Sequence, residues 1–276
     1  MDKESKAFLA QMANTIRKDI VTEVYSAQAG HPGGSLSIAD VITYLYFKEM
    51  RVDPAKPKDP DRDRFVLSKG HTCPALYAAL ARKGYFDAEC LKTFRKIDSE
   101  MQGHPDMKKI PGVDMSSGSL GQGFSAAAGM ALAGKIDKKE YRVYAILGDG
   151  EIEEGQIWEA AMFSAHYKLD NLCAIVDDNG LQIDGPVKDV MNVSPIDKKF
   201  EAFGFHVFTA DGHDFDDLEK AFESAKNAKG KPSVIILKTV KGKGVSFMEN
   251  QVGWHGKAPN QEQYEQAMAD LAALDR

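Results

Sequence analysis

Two short apolar runs, residues 143–147 (VYAIL) and 172–176 (LCAIV), flank a helical stretch at 156–168. Short apolar runs bounded by turn residues and joined by a helix are the pattern of adjacent parallel strands with a right-handed crossover. A further run at 205–209, a helical pattern over 215–229 and the β-forming Val234-Ile235-Ile236-Leu237 extend the alternation. The expected class is therefore α/β, a mostly parallel sheet with helices on both faces. Upstream, Phe8, Leu9, Met12, Ile16, Ile20, Val24 and Tyr25 recur at three- and four-residue steps, which predicts an amphipathic helix over 5–27. That helix stops at Gly30-His31-Pro32-Gly33-Gly34. Further helices are expected at 37–49, 74–83, 87–96 and near the end at 261–276, and residues 53–63, with three prolines and many charges, read as an exposed loop. No internal repeat or linker divides the 276 residues, so a single domain over 1–276 is expected.

Composition removes several classes of function. A net charge of -6 and a pI near 5.7 oppose a nucleic-acid or anionic-membrane surface, since both reward a basic face. The three cysteines, Cys73, Cys90 and Cys173, form no Cys-x-x-Cys pair, so neither a disulfide framework nor a zinc site is indicated, and a reducing cytoplasm fits. The charged N-terminus lacks a signal-peptide core, and no run approaches the roughly 20 apolar residues of a membrane span. A chain neither exported nor membrane-inserted is expected.

Chemistry concentrates at Gly148-Asp149-Gly150, directly after the first apolar run. In an open parallel sheet ligands sit beyond the carboxyl ends of the strands, where a turn can aim backbone N–H groups at an anion. Glycine lets the backbone approach a phosphate without a Cβ in the way, and Asp149 offers a hard carboxylate suited to magnesium or calcium. Asn179, in Asp177-Asp178-Asn179-Gly180, follows the next run thirty residues later. That separation accommodates one helix and one strand, so the carboxylate and the amide should reach the same sheet edge and clamp one cation. Magnesium usually keeps waters and binds a few protein oxygens plus ligand phosphates at about 2.0–2.1 Å. Either turn alone is common loop chemistry. Together they match a Gly-Asp-Gly followed about thirty residues on by Asn, and so resemble the thiamine diphosphate fingerprint.

Five further motifs narrow the resemblance. Gly30-His31-Pro32-Gly33-Gly34, Asp63-Arg64-Phe65-Val66-Leu67-Ser68-Lys69-Gly70-His71, Gly103-His104-Pro105, Gly118-Ser119-Leu120-Gly121-Gln122-Gly123 and Gly253-Trp254-His255-Gly256 stand in the order of the transketolase N-terminal domain and span nearly the whole chain. The resemblance implies the thiamine diphosphate-binding fold, with Asp149, Asn179 and the Leu181 carbonyl as ligands of Mg2+, or of Ca2+ or Mn2+. It places the Gly150 N–H, His71 and His255 on the diphosphate, with Gly118 and Leu120 bordering the aminopyrimidine. His31, His104 and His255 match family histidines that act on substrate hydroxyls, His31 foremost. Imidazole suits that work because its pKa lies close to neutral. Glu154 and Glu159 open the crossover helix; as unaided sequence they read as dipole complement and solvated face. The resemblance places them at a subunit contact linking active sites, and Glu154 is counted with the cofactor-binding set. His166, His206 and His213 have no motif around them and read as structural.

Family members in one piece are more than twice as long and keep the glutamate that activates the cofactor in a second, pyrimidine-binding domain. A truncated chain and a split enzyme both account for the length. The start at Met1 and the charged helical ending favour the split form: an N-terminal subunit working with a C-terminal subunit, as an α2β2 heterotetramer, on sugar phosphates. The implied reaction is transfer of a two-carbon ketol unit. One departure bears on substrate: where the family's commonest first motif continues Gly-Ala-Pro, this chain has Gly34-Ser35. Two rivals remain, another thiamine-dependent transferase or dehydrogenase component, which the Gly-His-Pro pairs disfavour, and a nucleotide-binding domain using Gly118 to Gly123. The glycines of that loop run G-x-x-G-x-G, the wrong order, with no apolar run immediately before them.

Overall fold

The computed structural model describes residues 1–275. In chain order its elements are α1 (Lys3–Ala27), α2 (Pro32–Ser37), α3 (Ala39–Tyr44) with a π-helical turn at Leu45–Glu49, β1 (Arg64–Leu67), α4 (Cys73–Lys83), α5 (Gln122–Ile136), β2 (Val143–Gly148), α6 (Gly155–His166), β3 (Leu172–Asp178), β4 (Leu181–Gln182), β5 (Gly185–Pro186), α7 (Val187–Val190), α8 (Ile196–Ala202), β6 (His206–Asp211), α9 (Phe215–Asn227), β7 (Ser233–Lys238) and α10 (Gln261–Ala272). Five strands form one parallel sheet in the order β1-β2-β3-β7-β6, and β4 and β5 pair as a separate antiparallel hairpin.

Side chains alternate across the sheet, as a period-two backbone requires. Phe65, Leu67, Tyr144, Ile146, Cys173, Ile175, Ile235 and Leu237 join a core that includes residues of α1, α3, α4, α9 and α10. Val66, Val143, Ala145, Leu147, Ala174, Val176, Val234 and Ile236 join a second core with α5, α6 and α8. Helices on both faces explain why the strands read as continuous apolar runs rather than alternating ones. The register sets Gly148 opposite Asp177, so the turns leaving β2 and β3 emerge side by side.

The pattern differs from expectation in three places. The segment expected as one helix over 37–49 is broken: Pro32, whose fixed φ suits a first helical position, starts α2 five residues early, and α3 and the π turn follow. The expected helix at 87–96 is a 3-10 turn at Ala88–Thr93. β1, an edge strand of four residues, was too short and too flanked by charge to stand out. No helix among the described residues is long and apolar enough to cross a membrane.

Glu23 of α1 is fully buried, and neither carboxylate oxygen has a hydrogen-bond partner. Burial, with Asp19 adding to it, raises its pKa well above 4.5. An acid whose folded pKa is raised is held neutral in the fold, so its stability is intact below its unfolded pKa and is lost as pH rises toward the folded value. Glu23→Gln should therefore melt higher than the parent at about pH 8, the gap closing toward about pH 4, as read by thermal denaturation across that range.

Candidate active site

A cavity of about 310 Å3 opens at the carboxyl ends of β1, β2, β3 and β7. Each of these strand tips supplies part of its wall: Lys69 and His71 after β1, Gly148 to Glu151 around the end of β2, Asn179 and Leu181 after β3, and Lys241 after β7. His31 arrives from the turn between α1 and α2, Gly118 and Leu120 from the loop before α5, and His255 from the segment preceding α10. Gly33 makes one of these meetings possible, because a Cβ there would lie 2.8 Å from the Trp254 carbonyl oxygen. Glycine thus lets the Gly-His-Pro and Gly-Trp-His-Gly segments touch.

The polar corner of the cavity is built around carboxylates. Asp149, 3% exposed, accepts from the Gly150 N–H at 2.9 Å and the Gly180 N–H at 2.5 Å. Burial, reinforced by the charge of Asp177, pushes its pKa up to about 7. Asn179 donates from Nδ2 to Asp177 at 2.8 Å and accepts the Leu181 N–H at 3.1 Å, while the Leu181 carbonyl accepts from Lys241 Nζ at 2.9 Å. Carboxylate, amide and backbone carbonyl are all hard oxygen donors, the set that magnesium and calcium take. No cluster of three or more His, Cys, Asp or Glu suited to a metal exists among the described residues. A cation beside Asp149 would relieve the desolvation that raises its pKa, and in that sense the residues fit one.

Two buried carboxylates hold this corner and went unremarked in the sequence. Asp177 accepts from Lys69 Nζ at 2.5 Å, Ser37 Oγ at 2.6 Å, Asn179 Nδ2, and the Thr239 hydroxyl. Burial alone would raise its pKa, but the Lys69 ammonium and these donors more than offset burial and hold it below the ordinary range. Glu151 accepts from Ser68 Oγ at 2.5 Å, the Gly121 N–H at 2.9 Å and the Gly148 N–H at 3.0 Å. It therefore ties the Gly118–Gly123 loop to the tips of β1 and β2. Lys241, almost fully buried, also donates to His255 Nδ1 at 2.9 Å, and burial, with Lys69 nearby, lowers its pKa to about 8. Hydrogen-bonded burial of a charge leaves no periodic trace in a sequence, which is why Lys69, Glu151, Asp177 and Lys241 were missed.

Three imidazoles cluster in the same cavity wall, joined to this corner by Lys241. The His31 ring centroid lies 5.0 Å from that of His71 and 5.3 Å from that of His255, and His71 and His255 are 5.3 Å apart. Burial lowers the pKa of His31 to about 4, with Arg95 and His104 contributing. Burial likewise takes His255 to about 3, helped by Lys241, and puts His71 well below its usual value. The near-neutral titration expected of these rings is thus displaced: at neutral pH they are uncharged and act as proton acceptors or neutral donors. His31 Nδ1 is buried without a partner, an unused hydrogen-bonding position in the wall.

Of the residues singled out in the sequence, His31, His71, Gly118, Leu120, Asp149, Gly150, Asn179, Leu181 and His255 all line the cavity. His104 stands just outside, its ring 3.3 Å from where a Cβ on Gly118 would sit, and burial, with Arg95, lowers its pKa. Glu154, counted with the cofactor-binding set, is not brought to the cavity: it is exposed ahead of α6, beside Gly121, and Glu159 is exposed on α6. Among the three histidines read as structural, His206 caps the Lys229 carbonyl and His166 packs edge-on against Tyr167. His213 does more, its ring joining Asp40 to the backbone of Val240. The Gly118–Gly123 loop follows no strand, which removes the basis for a dinucleotide reading.

Comparison with known proteins agrees with this geometry. The family model for the transketolase thiamine diphosphate binding domain matches residues 9–272. The chain is 49% identical over 268 residues to the 6-deoxy-6-sulfo-D-fructose transketolase subunit of Clostridium sp. (strain MSTE9), covering 97% of this chain and 98% of that one. It is 46% identical to one of the apulose-4-phosphate transketolase subunits of Phocaeicola vulgatus, covering 93% and 91%. The crystal structure of transketolase from Campylobacter jejuni superimposes with a TM-score of 0.92 at 34% identity, over 99% of this chain but only 43% of that longer one. A cavity walled by Gly148-Asp149-Gly150, Asn179 and three clustered histidines, on a fold and sequence shared along almost the full length, places the chain in the transketolase family, as its thiamine diphosphate-binding domain.

Proposed function

We propose that this chain, acting as one domain over 1–276, is the N-terminal subunit of a transketolase that moves a two-carbon ketol unit from a ketose phosphate to an aldose phosphate together with a separate C-terminal, pyrimidine-binding subunit. The observation that carries the reading is that Asp149 and Asn179, from adjacent strand tips, line one cavity with His31, His71 and His255. Asp149, Asn179 and the Leu181 carbonyl would hold Mg2+, or Ca2+ or Mn2+. The Gly150 N–H, His71 and His255 would hold the diphosphate, with Gly118 and Leu120 along the aminopyrimidine. When bound, thiamine diphosphate supplies the electron sink that cleavage between C2 and C3 of a ketose requires. The chain's own residues then bind, orient and manage protons. His31, neutral and half-buried, accepts the proton of a sugar hydroxyl, and His255 and His104 stand close enough to assist. Two relatives are named for sugars carrying a sulfo or a phosphate group, which supports an anionic sugar as substrate.

The partner is supported by both names and surface. The two relatives covered almost end to end by this chain are themselves called subunits. Met162 and Tyr167 on and just beyond α6, and Ile136 at the end of the adjacent α5, are 59%, 47% and 69% exposed, with Phe163 beside them. Exposed apolar side chains gathered on neighbouring helices mark a surface meant to be covered. Glu154 and Glu159 border the same face and suit a subunit contact better than cofactor binding. An α2β2 assembly would bury it. Three free thiols support a reducing, cytoplasmic setting.

Two measurements test the reading. Purified chain mixed with its C-terminal partner should transfer ketol units and either alone should not, while His31→Ala in the mixture should lose about 10²- to 10⁴-fold in turnover; full transfer by this chain alone would refute the division of labour. Asp149→Asn removes a buried charge whose raised pKa costs the chain stability as pH climbs toward about 7. The variant should melt higher at about pH 8 without metal, yet lose metal-dependent uptake of thiamine diphosphate in calorimetry.

A further inference from the structure

His213 lies in the turn between β6 and α9, and its ring bridges two parts of the molecule. Nε2 accepts the Val240 N–H at 2.9 Å. A backbone N–H can only donate, so Nε2 carries no proton, and the ring proton resides on Nδ1. Nδ1 then donates to Asp40 Oδ2 at 2.7 Å. The same Asp40 oxygen accepts from the Arg17 guanidinium, and both residues are buried, at 5% and 6% exposure. The imidazole is thus locked in one tautomer between a buried ion pair of α1 and α3 and the residue preceding Lys241.

Residues 239–242 leave β7, with Thr239 still donating to the Asp178 carbonyl of β3 at 3.4 Å, and carry Lys241 into the cavity wall. They are pinned one at a time: the Thr239 hydroxyl by Asp177, Val240 by His213, and the Gly242 N–H by the Gly33 carbonyl at 2.9 Å. Between the last two pins sits Lys241, whose ammonium reaches the Leu181 carbonyl and His255. The Lys241 carbonyl accepts the Asn250 N–H at 2.9 Å, so the far side of this lysine is held by Asn250 and Gly33, and the bond to the Val240 N–H is the side-chain anchor on its near side. Partners of this kind, one step behind a ligand-binding group, commonly matter about 10- to 100-fold in affinity.

We propose that His213 is a positioning residue: through Val240 it aims the Lys241 ammonium into the diphosphate end of the cavity, with Asp40 and Arg17 as its anchor. The inference rests on the cofactor reading above and extends it to a residue that touches nothing in the cavity. Two variants separate this role from a structural one. His213→Asn keeps an amide N–H where Nδ1 meets Asp40 but is too short to reach Val240, whereas His213→Gln places its carbonyl where Nε2 meets Val240.

The test is calorimetric titration of thiamine diphosphate with Mg2+ into the chain mixed with its C-terminal partner, beside heteronuclear NMR of the His213 ring. Positioning through Val240 predicts the Nδ1–H tautomer, a loss of about tenfold or more in affinity for His213→Asn, and near-parental affinity for His213→Gln. It also predicts that His213→Asn adds no further loss in a Lys241→Met background, since the two would act as one unit. A histidine that serves only to satisfy Asp40 gives the reverse order of the two variants, and that order, or additive losses, would overturn the proposal. Failure of the parent mixture to take up thiamine diphosphate would instead overturn the cofactor reading itself, and the proposal with it, whatever tautomer the NMR shows.

Discussion

The buried pair of Lys69 and Asp177 is the interaction on which the site depends. One carboxylate at the end of β3 gathers a lysine from the tip of β1, a serine from α2, a threonine from the tip of β7 and the amide of Asn179 beside it. Removing one partner of a buried pair typically costs about 3–5 kcal/mol, because the other charge is stranded in a poor solvent. Here the strain would fall on four segments at once, each of which carries a cavity residue. The parallel register supplies the coarse alignment of the strand tips, and Asp177 fixes the fine alignment. Glu151 does the same on the other side, drawing the Gly118–Gly123 loop onto β1 and β2. The cavity is therefore held by two buried carboxylates: Asp177, which does not line it, and Glu151, which is part of its wall but spends its oxygens on a hydroxyl and two backbone N–H groups.

That division between supporting and facing groups decides what could be read from the sequence. The sheet was legible because strands covered on both faces are apolar throughout, as 143–147, 172–176 and 234–237 are. The facing groups were legible because Asp149, Asn179, His31, His71 and His255 sit beside glycines, where close approach to a ligand constrains the backbone and leaves a recognisable motif. Lys69, Glu151, Asp177, Lys241 and His213 were not. Their roles come from partners far away in sequence, 108 residues for Lys69 with Asp177 and 173 for His213 with Asp40, and no local pattern records such a distance. Helix boundaries failed for a related reason: at 32–49 the apolar residues are buried on all sides, so periodicity could not show that proline starts one helix early and that a π turn ends the segment.

The histidines illustrate how burial changes a residue's chemistry without changing its identity. An imidazole titrating near neutrality would be partly protonated in use and would repel Lys69, Lys241 and Arg95. Packed together and desolvated, His31, His71 and His255 are neutral instead, and the lone pair of His255 is taken up by Lys241. A wall of neutral rings brings no charge of its own to a site that already holds several, and it can donate to phosphate oxygen or take up a hydroxyl proton, becoming cationic only in that step. The Lys241 bond to His255 Nδ1 fixes which nitrogen of that ring is bare, so the remaining nitrogen is the one free to donate into the cavity.

Two buried groups in the cavity, of opposite sign, have no ion-pair partner among the described residues. Lys69 is spent on Asp177, and Glu151 on a hydroxyl and two backbone N–H groups. Asp149 and Lys241 remain, one anion and one cation, both buried and not bonded to each other among the described residues. A metal ion alone would satisfy Asp149 but place a second positive charge near Lys241. A diphosphate alone would satisfy Lys241 but bring its charge toward Asp149. On the proposed reading, a metal bound to a diphosphate would answer both at once, with Asp149, Asn179 and the Leu181 carbonyl as the residues that would hold the cation and Lys241, the Gly150 N–H and the histidines those that would hold the diphosphate. Each ligand would thereby lower the cost of binding the other, a mutual dependence that follows from where two unpaired charges sit at neighbouring strand tips.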